Sequence, residues 1–248
     1  AQGPRKDLVD FVNRVVTPVD KMDGDSLPVS AFRGMEDGTF PQGSAAYEKR
    51  GVAVFAPIWH EENCIQCNNC AFVCPHASIR PFAMTQEEAD NAPEGTKFAA
   101  KPVIKTDYKF SISISPLDCM GCTLCVKACP VTVKAVANGT PEKAALEMVT
   151  QEKAMFQQKS FDYAVANVSE KKELINTTIK GSQFKQPLLE FSGSCAGCAE
   201  TSYARLITQL FGERMYISNA TGCSSIWGGS APATPYTVNR ETGRGPAW

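Results

Sequence analysis

The chain has 248 residues, which is enough for one or two domains with a sizeable core. Lysine and arginine total 25 against 26 aspartates and glutamates, and this near-zero charge gives no signature of nucleic-acid binding or of a polybasic membrane contact. No apolar run approaches the roughly 18 residues that span a bilayer, and the N-terminus lacks an initiator methionine and a secretion pattern. We therefore expect a cytoplasmic protein in a reducing setting, and a chain that is a piece of something longer.

The N-terminal region predicts one short helix and then an irregular arm. Leu8, Val12, Val15 and Val16 recur at helical spacing, and Pro18 should end the helix. From 17 to 49, glycines and prolines interrupt every period. We expect residues 1–50 to form an arm that lies on a neighbouring surface, and an apolar strand over 52–58 to follow.

A cysteine run then occurs twice, with the same spacing and a proline after each fourth cysteine. This spacing wraps three thiols around three iron corners of one [4Fe–4S] cluster, while the fourth cysteine serves the cluster of the other run. The sequence therefore predicts two clusters with crossed ligands. The first is assigned to Cys64, Cys67, Cys70 and Cys129, and the second to Cys119, Cys122, Cys125 and Cys74.

Two other interpretations of these thiols are weaker. A disulfide framework needs an oxidising compartment, and eleven cysteines leave one without a partner. Zinc suits Cys-x2-Cys pairs, but structural zinc sites usually contain two separated pairs rather than triplets. The two histidines, His60 and His76, are expected to be ordinary polar residues near a cluster rather than ligands.

The residues between and after the runs complete a predicted ferredoxin-like domain over 51–185. Apolar residues alternate with serines over 110–114, which predicts a half-buried strand in a hairpin arm inserted between the runs. Thr140 and Pro141 are typical of an N-cap and a first helical residue. They predict a helix that carries Leu146, Val149 and Met155, followed by a connector with part of a second helix over 161–185.

The composition shifts near Pro187, where an α/β domain is predicted to start and to occupy 186–248 without being complete. A buried strand over 188–192, a helix that Gly212 ends, and a second strand over 214–219 give a strand–helix–strand order. This order is the beginning of a parallel sheet. The overall fold class is therefore α+β, with a two-cluster ferredoxin domain and this α/β start.

A third cysteine group falls in the α/β region. Cys195 and Cys198 follow one predicted strand and Cys223 follows the next, so that all three should lie on the sheet edge that binds ligands. Three thiols cannot complete a [4Fe–4S] cluster, so that a fourth ligand would lie outside this sequence. Alternatively, the first two form a thioredoxin-like redox pair, which has no use for Cys223. The turn 222–225 offers N–H groups to a diphosphate, or is only a polar turn.

These residues closely resemble one family, pyruvate:ferredoxin (flavodoxin) oxidoreductase, the large thiamine diphosphate enzyme of anaerobic metabolism. The resemblance covers nearly the whole chain, and its most specific segments are those at 209–214 and 219–229. It is carried by DGTFP at 37–41, YEKRG at 47–51, NCIQC at 63–67, FVCPH at 72–76, QLFGER at 209–214 and NATGCSSIWGG at 219–229.

The resemblance implies a third cluster next to the thiamine, with Cys195, Cys198 and Cys223 as three of its ligands and the fourth far downstream. It also implies that Glu200 and the backbone of Cys223 lie at the thiamine diphosphate, whereas Ala199 departs from the usual glycine. The Gly-Asp-Gly-type motif that holds Mg²⁺ on the diphosphate is not found. No catalytic residue is assigned, and this segment alone should not turn over substrate.

For the complete enzyme, the resemblance implies oxidative decarboxylation of pyruvate with CoA to acetyl-CoA and CO2. Ferredoxin or flavodoxin takes the electrons, and the enzyme is a homodimer with no nucleic-acid or membrane partner. Two alternatives stay open: a free-standing polyferredoxin electron carrier, or an oxidoreductase for a different 2-oxo acid. The sequence 195–248 favours an enzyme, because a pure carrier has no use for the start of an α/β sheet.

Overall fold

The computed structural model describes residues 1, 3, 5–229 and 231–248. Its strands are β1 (Phe55–Trp59), β2 (Ile79–Met84), β3 (Lys109–Ile114) and β4 (Leu146–Thr150). Its α-helices are α1 (Lys6–Phe11), α2 (Thr17–Asp20), α3 (Asn69–Phe72), α4 (Gln86–Asp90), α5 (Leu124–Ala128), α6 (Pro130–Ala137), α7 (Gln151–Ala154), α8 (Gln158–Asn167), α9 (Ile179–Ser182), α10 (Ala199–Phe211) and α11 (Cys223–Gly228). None of the helices in these ranges is long and apolar enough to cross a membrane.

The chain divides into two compact units. The first comprises Ala1–Lys49, Leu188–Ser194 and Phe211–Trp248, and the second comprises Arg50–Pro187 and Cys195–Leu210. Both cysteine runs therefore lie in the second unit. The first unit is built from three separate stretches of sequence.

The predicted N-terminal helix is confirmed in the first unit, and its apolar face forms a core with Leu8, Val12, Val15 and Val16. The prediction that Pro18 ends it is wrong, because the helical path continues through α2 to Asp20. A π turn over Val12–Val16 lies between α1 and α2, and the Thr17 N–H donates to the Val12 carbonyl. This wider turn interrupts the regular ladder just before Pro18, so that the missing proline N–H costs less there.

The predicted strand–helix–strand over 188–219 is only partly present. The helix is confirmed as α10, which Gly212 follows. The two flanking strands are not confirmed: Leu189 makes a single antiparallel bridge with Tyr236, and Tyr216 a single parallel bridge with Ala247. Each partner stretch contains a proline next to the bridging residue, which cannot donate to a longer ladder.

Two antiparallel strand pairs frame the cysteine runs in the second unit. Strand β1 pairs with β4, and β2 pairs with β3, with Trp59 opposite Leu146 and Ile79 opposite Ile114. Along the chain, β2 and β3 both lie between β1 and β4. The first cysteine run therefore lies between β1 and β2, and the second between β3 and β4. The predicted strand before the first run and the predicted hairpin arm are both confirmed.

The expectation that the hairpin arm is half-buried is wrong. Ser111 and Ser113 of β3 are 2% and 4% exposed, as deeply buried as the apolar residues between them. Helix α8 packs against β3, and its Phe161 ring lies 5.4 Å from the Arg80 guanidinium of β2. Both faces of the arm are therefore covered, and the serines occupy a second, more polar interior.

The helix predicted from Thr140 is also wrong. Pro141–Lys143 form a single 3-10 turn, and the next residues form β4 instead. The Thr132 hydroxyl of α6 accepts hydrogen bonds from the Ala145 and Leu146 N–H groups, at 3.2 and 3.0 Å. Pairing with β1 and this contact from α6 override the local helix signal.

Candidate metal centres

The four thiols assigned to the first cluster line one cavity. Its volume is about 340 Å³ including the open mouth, and its other walls are mainly apolar, with Trp59, Ile112 and Leu146 among them. Three of the thiols come from the segment between β1 and β2, where Cys70 lies in α3, and the fourth stands between α5 and α6. The lining thiols are Cys64, Cys67, Cys70 and Cys129.

The four thiols assigned to the second cluster line a separate cavity of about 370 Å³, measured in the same way. Cys119 and Cys122 come from the loop before α5, Cys125 lies in α5, and Cys74 follows α3. The lining thiols are Cys74, Cys119, Cys122 and Cys125. The structure thus brings together the two sets that the crossed pattern predicts, while the ligation itself stays a prediction.

Both runs wrap around their cavity through the same backbone conformation. Gln66 and Asn68 have φ of 56° and 63°, and the corresponding Gly121 and Thr123 of the second run have 68° and 66°. These left-handed residues turn N–H groups inward, so that the Gln66 N–H lies 3.4 Å from the Cys64 sulfur and the Gly121 N–H 3.4 Å from the Cys119 sulfur. Sulfurs that accept backbone N–H groups in a tight loop suit an iron–sulfur site.

The strained residues of the first run are held by side-chain hydrogen bonds. The Gln66 amide donates to the Lys101 carbonyl at 2.7 Å, and the Asn68 amide donates to the Lys180 carbonyl at 2.9 Å. Asn68 is only 1% exposed, so that these contacts are well shielded from water. The polar side chains between the cysteines therefore fix the loop that presents the thiols.

Burial makes these thiols reluctant to ionise on their own. It raises the pKa of Cys119 to about 12, and it also raises the pKa values of Cys70 and Cys125, with neighbouring thiols adding to the effect. Burial likewise raises the pKa values of Cys64 and Cys122. A thiolate in such a place needs a cation, and a coordinating iron centre supplies one, because metal binding deprotonates the thiol.

A [4Fe–4S] cluster fits both cavities by the chemistry of the donors. Four soft thiolates around an apolar cavity match what the cluster requires. The buried indole N–H of Trp59 lines the first cavity and faces the Cys64 thiol, where it opposes the effect of burial, which raises the pKa of Cys64, so that the cavity has a side-chain donor at its sulfur lining. Within residues 1, 3, 5–229 and 231–248, no group of three or more His, Cys, Asp or Glu side chains could hold a single metal ion.

The histidines occupy different positions near these cavities. His76 is buried and lines the second cavity, and its Nε2 lies 3.3 Å from the Cys195 carbonyl. His60 precedes the first run and its Nε2 lies 3.1 Å from a Glu147 carboxylate oxygen. His76 therefore lies beside the second cavity, whereas His60 does not line the first, and the expectation that both are polar residues near a cluster stays a prediction.

Cys195 and Cys198 form a turn that lies against the second cavity. The Cys198 N–H donates to the Cys195 carbonyl at 3.1 Å, and between them Gly197 has a φ of +77°. A β-carbon at Gly197 would lie 3.6 Å from the Cys122 β-carbon. This turn and the second cavity therefore share a wall.

The other members of the predicted third site are on the surface. Glu200 is exposed in the first turn of α10, next to Cys198. Cys223 is exposed at the start of α11, after Gly222, and belongs to the first compact unit. Their roles toward a third cluster and thiamine diphosphate stay predictions.

One residue near the second cavity was not found from the sequence. The guanidinium of Arg205 is fully buried, and it donates to the Cys74 carbonyl at 2.9 Å and to the Phe72 carbonyl at 2.6 Å. It also donates to the Gln183 and Gln209 side-chain carbonyls, at 2.9 and 2.7 Å. Burial lowers the pKa of Arg205 to about 10, which still leaves the group charged at neutral pH.

Two family models match the chain. The model described as a 4Fe-4S dicluster domain matches residues 63–133, which contain both cysteine runs. The model called EKR, described as a domain of unknown function, matches residues 2–53. The dicluster match agrees with the two cavities and with the crossed sets of thiols around them.

Among curated proteins, the chain is 53% identical over 242 residues to a pyruvate-flavodoxin oxidoreductase of Klebsiella pneumoniae, which is 97% of this chain and 20% of that protein. It is 51% identical over 242 residues to the pyruvate:ferredoxin oxidoreductase of Moorella thermoacetica, covering 96% of this chain and 20% of that protein. The chain corresponds to a segment of these oxidoreductases. A pyruvate dehydrogenase [NADP(+)] of Cryptosporidium parvum is 47% identical over 257 residues, covering all of this chain and 12% of that protein.

The chain spans about a fifth of the length of the pyruvate oxidoreductases that it matches. The similarity extends well beyond the dicluster region, because it covers nearly all of the chain. It therefore includes the irregular N-terminal arm and the residues around Cys195, Glu200 and Cys223.

Proposed function

We propose that this chain is the iron–sulfur electron-transfer segment of a pyruvate:ferredoxin (flavodoxin) oxidoreductase. The observation that carries the proposal is the grouping of eight thiols around two cavities, each with three cysteines of one run and the fourth of the other. Clusters bound there supply one-electron carriers. Identity above 50% over nearly the whole chain to oxidoreductases named for pyruvate supports the wider assignment.

The order of the carriers follows from which thiols are neighbours. The Cys195–Cys198 turn lies against Cys122, with Gly197 at the contact and His76 next to the Cys195 carbonyl. We place the predicted third cluster on Cys195, Cys198 and Cys223, with a fourth ligand outside this sequence. Electrons then pass first to the second cavity and afterwards to the first.

In the complete protein, this segment would serve the reaction pyruvate + CoA → acetyl-CoA + CO2 + H⁺ + 2 e⁻. Ferredoxin or flavodoxin would accept the two electrons one at a time, which suits one-electron clusters. Glu200 and the Cys223 backbone would hold part of the thiamine diphosphate, whose Mg²⁺ site lies in another part of the protein. We further infer a cytoplasmic location, since free cysteines suit a reducing compartment, whereas the homodimer rests on the family resemblance alone.

The test separates chemistry from electron transfer in the complete enzyme. Cys198→Ala should leave the release of CO2 in a single turnover largely intact while it slows cluster reduction severely, because it cuts the electron path at its cofactor end. Glu200→Ala should act earlier, by weakening thiamine binding or the decarboxylation step. Ser202→Ala, on the same helix, is the matched control and should change neither step.

The measurements are stopped-flow absorbance of the clusters and release of labelled CO2 from pyruvate. The proposal is wrong if Cys198→Ala abolishes CO2 release in folded, thiamine-loaded enzyme while Glu200→Ala affects neither step. An intact native polypeptide close to this chain in mass would instead favour the free-standing carrier.

A further inference from the structure

The positive charge of Arg205 is buried, and the protein groups that bind its guanidinium do not neutralise it. Its side chain is 2% exposed, and its four hydrogen bonds go to two backbone carbonyls and two glutamine amides, all of them neutral. In the described part of the chain, no carboxylate pairs with it. Buried charges are normally paired, because removing a charge from water is costly. An opposite charge is therefore expected nearby.

The nearest candidate for that charge is the second cavity. Arg205 binds the carbonyl of Cys74, which itself lines this cavity with three thiols of the second run. Four thiolates around a [4Fe–4S]²⁺ core give a net charge of −2, and one-electron reduction makes it −3. A fixed positive charge in a buried site stabilises the more negative state more strongly, since charges interact strongly where water is excluded.

The neighbours of Arg205 hold it in this position. The side-chain carbonyls of Gln183 and Gln209 both accept from one terminal nitrogen, and the Gln209 amide donates onward to the Lys185 carbonyl at 2.8 Å. The guanidinium fork is thus fixed between these amides and the last turn of the first run. Lysine, with a single ammonium group, could keep the charge but not all of these contacts.

We propose that Arg205 is a positioning residue that fixes the Cys74 backbone and raises the reduction potential of the second cluster through its buried charge. This inference rests on the proposed function, because it needs the cluster to be bound. It explains why α10 buries its polar face: Arg205, Thr208 and Gln209 are 1–2% exposed, whereas Tyr203 and Ile207 are 67% and 45% exposed. This orientation of α10 places the charge of Arg205 next to the second cavity.

The experiment is a redox titration of the cluster-loaded protein, followed by EPR, with the second-cluster signal assigned by its loss in Cys125→Ala. Arg205→Gln keeps a hydrogen-bonding side chain but removes the charge. We expect it to disfavour reduction of the second cluster at least tenfold, a shift of about 59 mV to lower potential for one electron. Arg205→Lys should shift the same potential less than half as far, and the first cluster should move less in both variants.

Arg14→Gln is the matched control, because it removes one positive charge from an exposed site in the first unit. It should leave both potentials unchanged. An unmoved second-cluster potential in a fully loaded Arg205→Gln protein overturns the inference, and so does loss of the second cluster in both Arg205 variants, which would indicate a purely structural role. An unmodified protein that binds no cluster overturns the proposed function as well, so that the two failures are distinguishable by iron content.

Discussion

Replacing Cys74, the fourth cysteine of the first run, should damage the cluster of the second run rather than the cluster of its own run. Cys74→Ala leaves the second cavity with three thiols, while all four thiols of the first cavity remain. At four irons per cluster, we expect bound iron to fall from about eight to about four per chain. Cys74 is only 7% exposed, so that water has little access from which to replace the lost sulfur.

The assay compares EPR spectra of dithionite-reduced variants in pairs. Cys74→Ala should give the spectrum of Cys125→Ala, whose residue belongs to the second run, and Cys129→Ala should give the spectrum of Cys70→Ala. Uncrossed ligation would produce the opposite pairing. A Cys74→Ala spectrum that matches Cys70→Ala in folded protein, as judged by circular dichroism, would refute the reasoning.

Four further outcomes are expected. Thr132→Val removes the hydroxyl that accepts from the Ala145 and Leu146 N–H groups at the start of β4. It should lower the free energy of unfolding by about 2–4 kcal/mol, measured as a lower melting temperature. Thr132→Ser, which keeps the hydroxyl, should largely restore the melting temperature. Burial opposes ionisation of Glu88, but hydrogen bonds from Lys171 and Ser169 outweigh it and hold the pKa of Glu88 below the ordinary 4.5. The stability that the ionised Glu88 contributes to the fold is therefore present above pH 4.5 and is lost as the pH falls through the lowered pKa. The melting temperature in acid should accordingly depend less on pH in Glu88→Gln. Lys171→Met leaves that carboxylate unpaired in a site where the two side chains are 7% and 16% exposed, and should cost about 3 kcal/mol in the same melting assay. Iron analysis should give about eight irons for this segment against about twelve for the complete protein, and a stable third cluster ligated fully by cysteine in the segment would contradict the need for an outside ligand.

The cysteine runs could be assigned from the sequence because their geometry is local. Within each run, three thiols lie within seven residues, and the turns between them need only a few left-handed residues such as Gln66 and Gly121. The crossing of the fourth cysteine is set by the same repeated spacing. Strand β1 and the hairpin arm were also predictable, because their apolar residues follow a short-range pattern.

The failure at Thr140 and the unpredicted burial of Arg205 involve partners that are distant in sequence. The signal at Thr140 and Pro141 is typical of a helix start, but β1, about ninety residues earlier, provides the hydrogen bonds that make β4. Helix α10 was predicted correctly, but its burial of Arg205 was not, because the carbonyls that accept hydrogen bonds from Arg205 come from the first run. A buried arginine leaves no local signal when its counterpart is a backbone more than one hundred residues away.

The nesting of the strand pairs and the crossing that we propose for Cys74 and Cys129 have a consequence for the timing of iron insertion during protein synthesis. Cys64, Cys67 and Cys70 leave the ribosome about sixty residues before Cys129, a delay of roughly 3–12 s at about 5–20 residues per second. Neither β1 nor its cavity has its final partner until β4 emerges. With the crossed ligation that we propose, the nascent chain carries three thiols without their fourth partner, and the first cluster can be completed only after the second run has emerged.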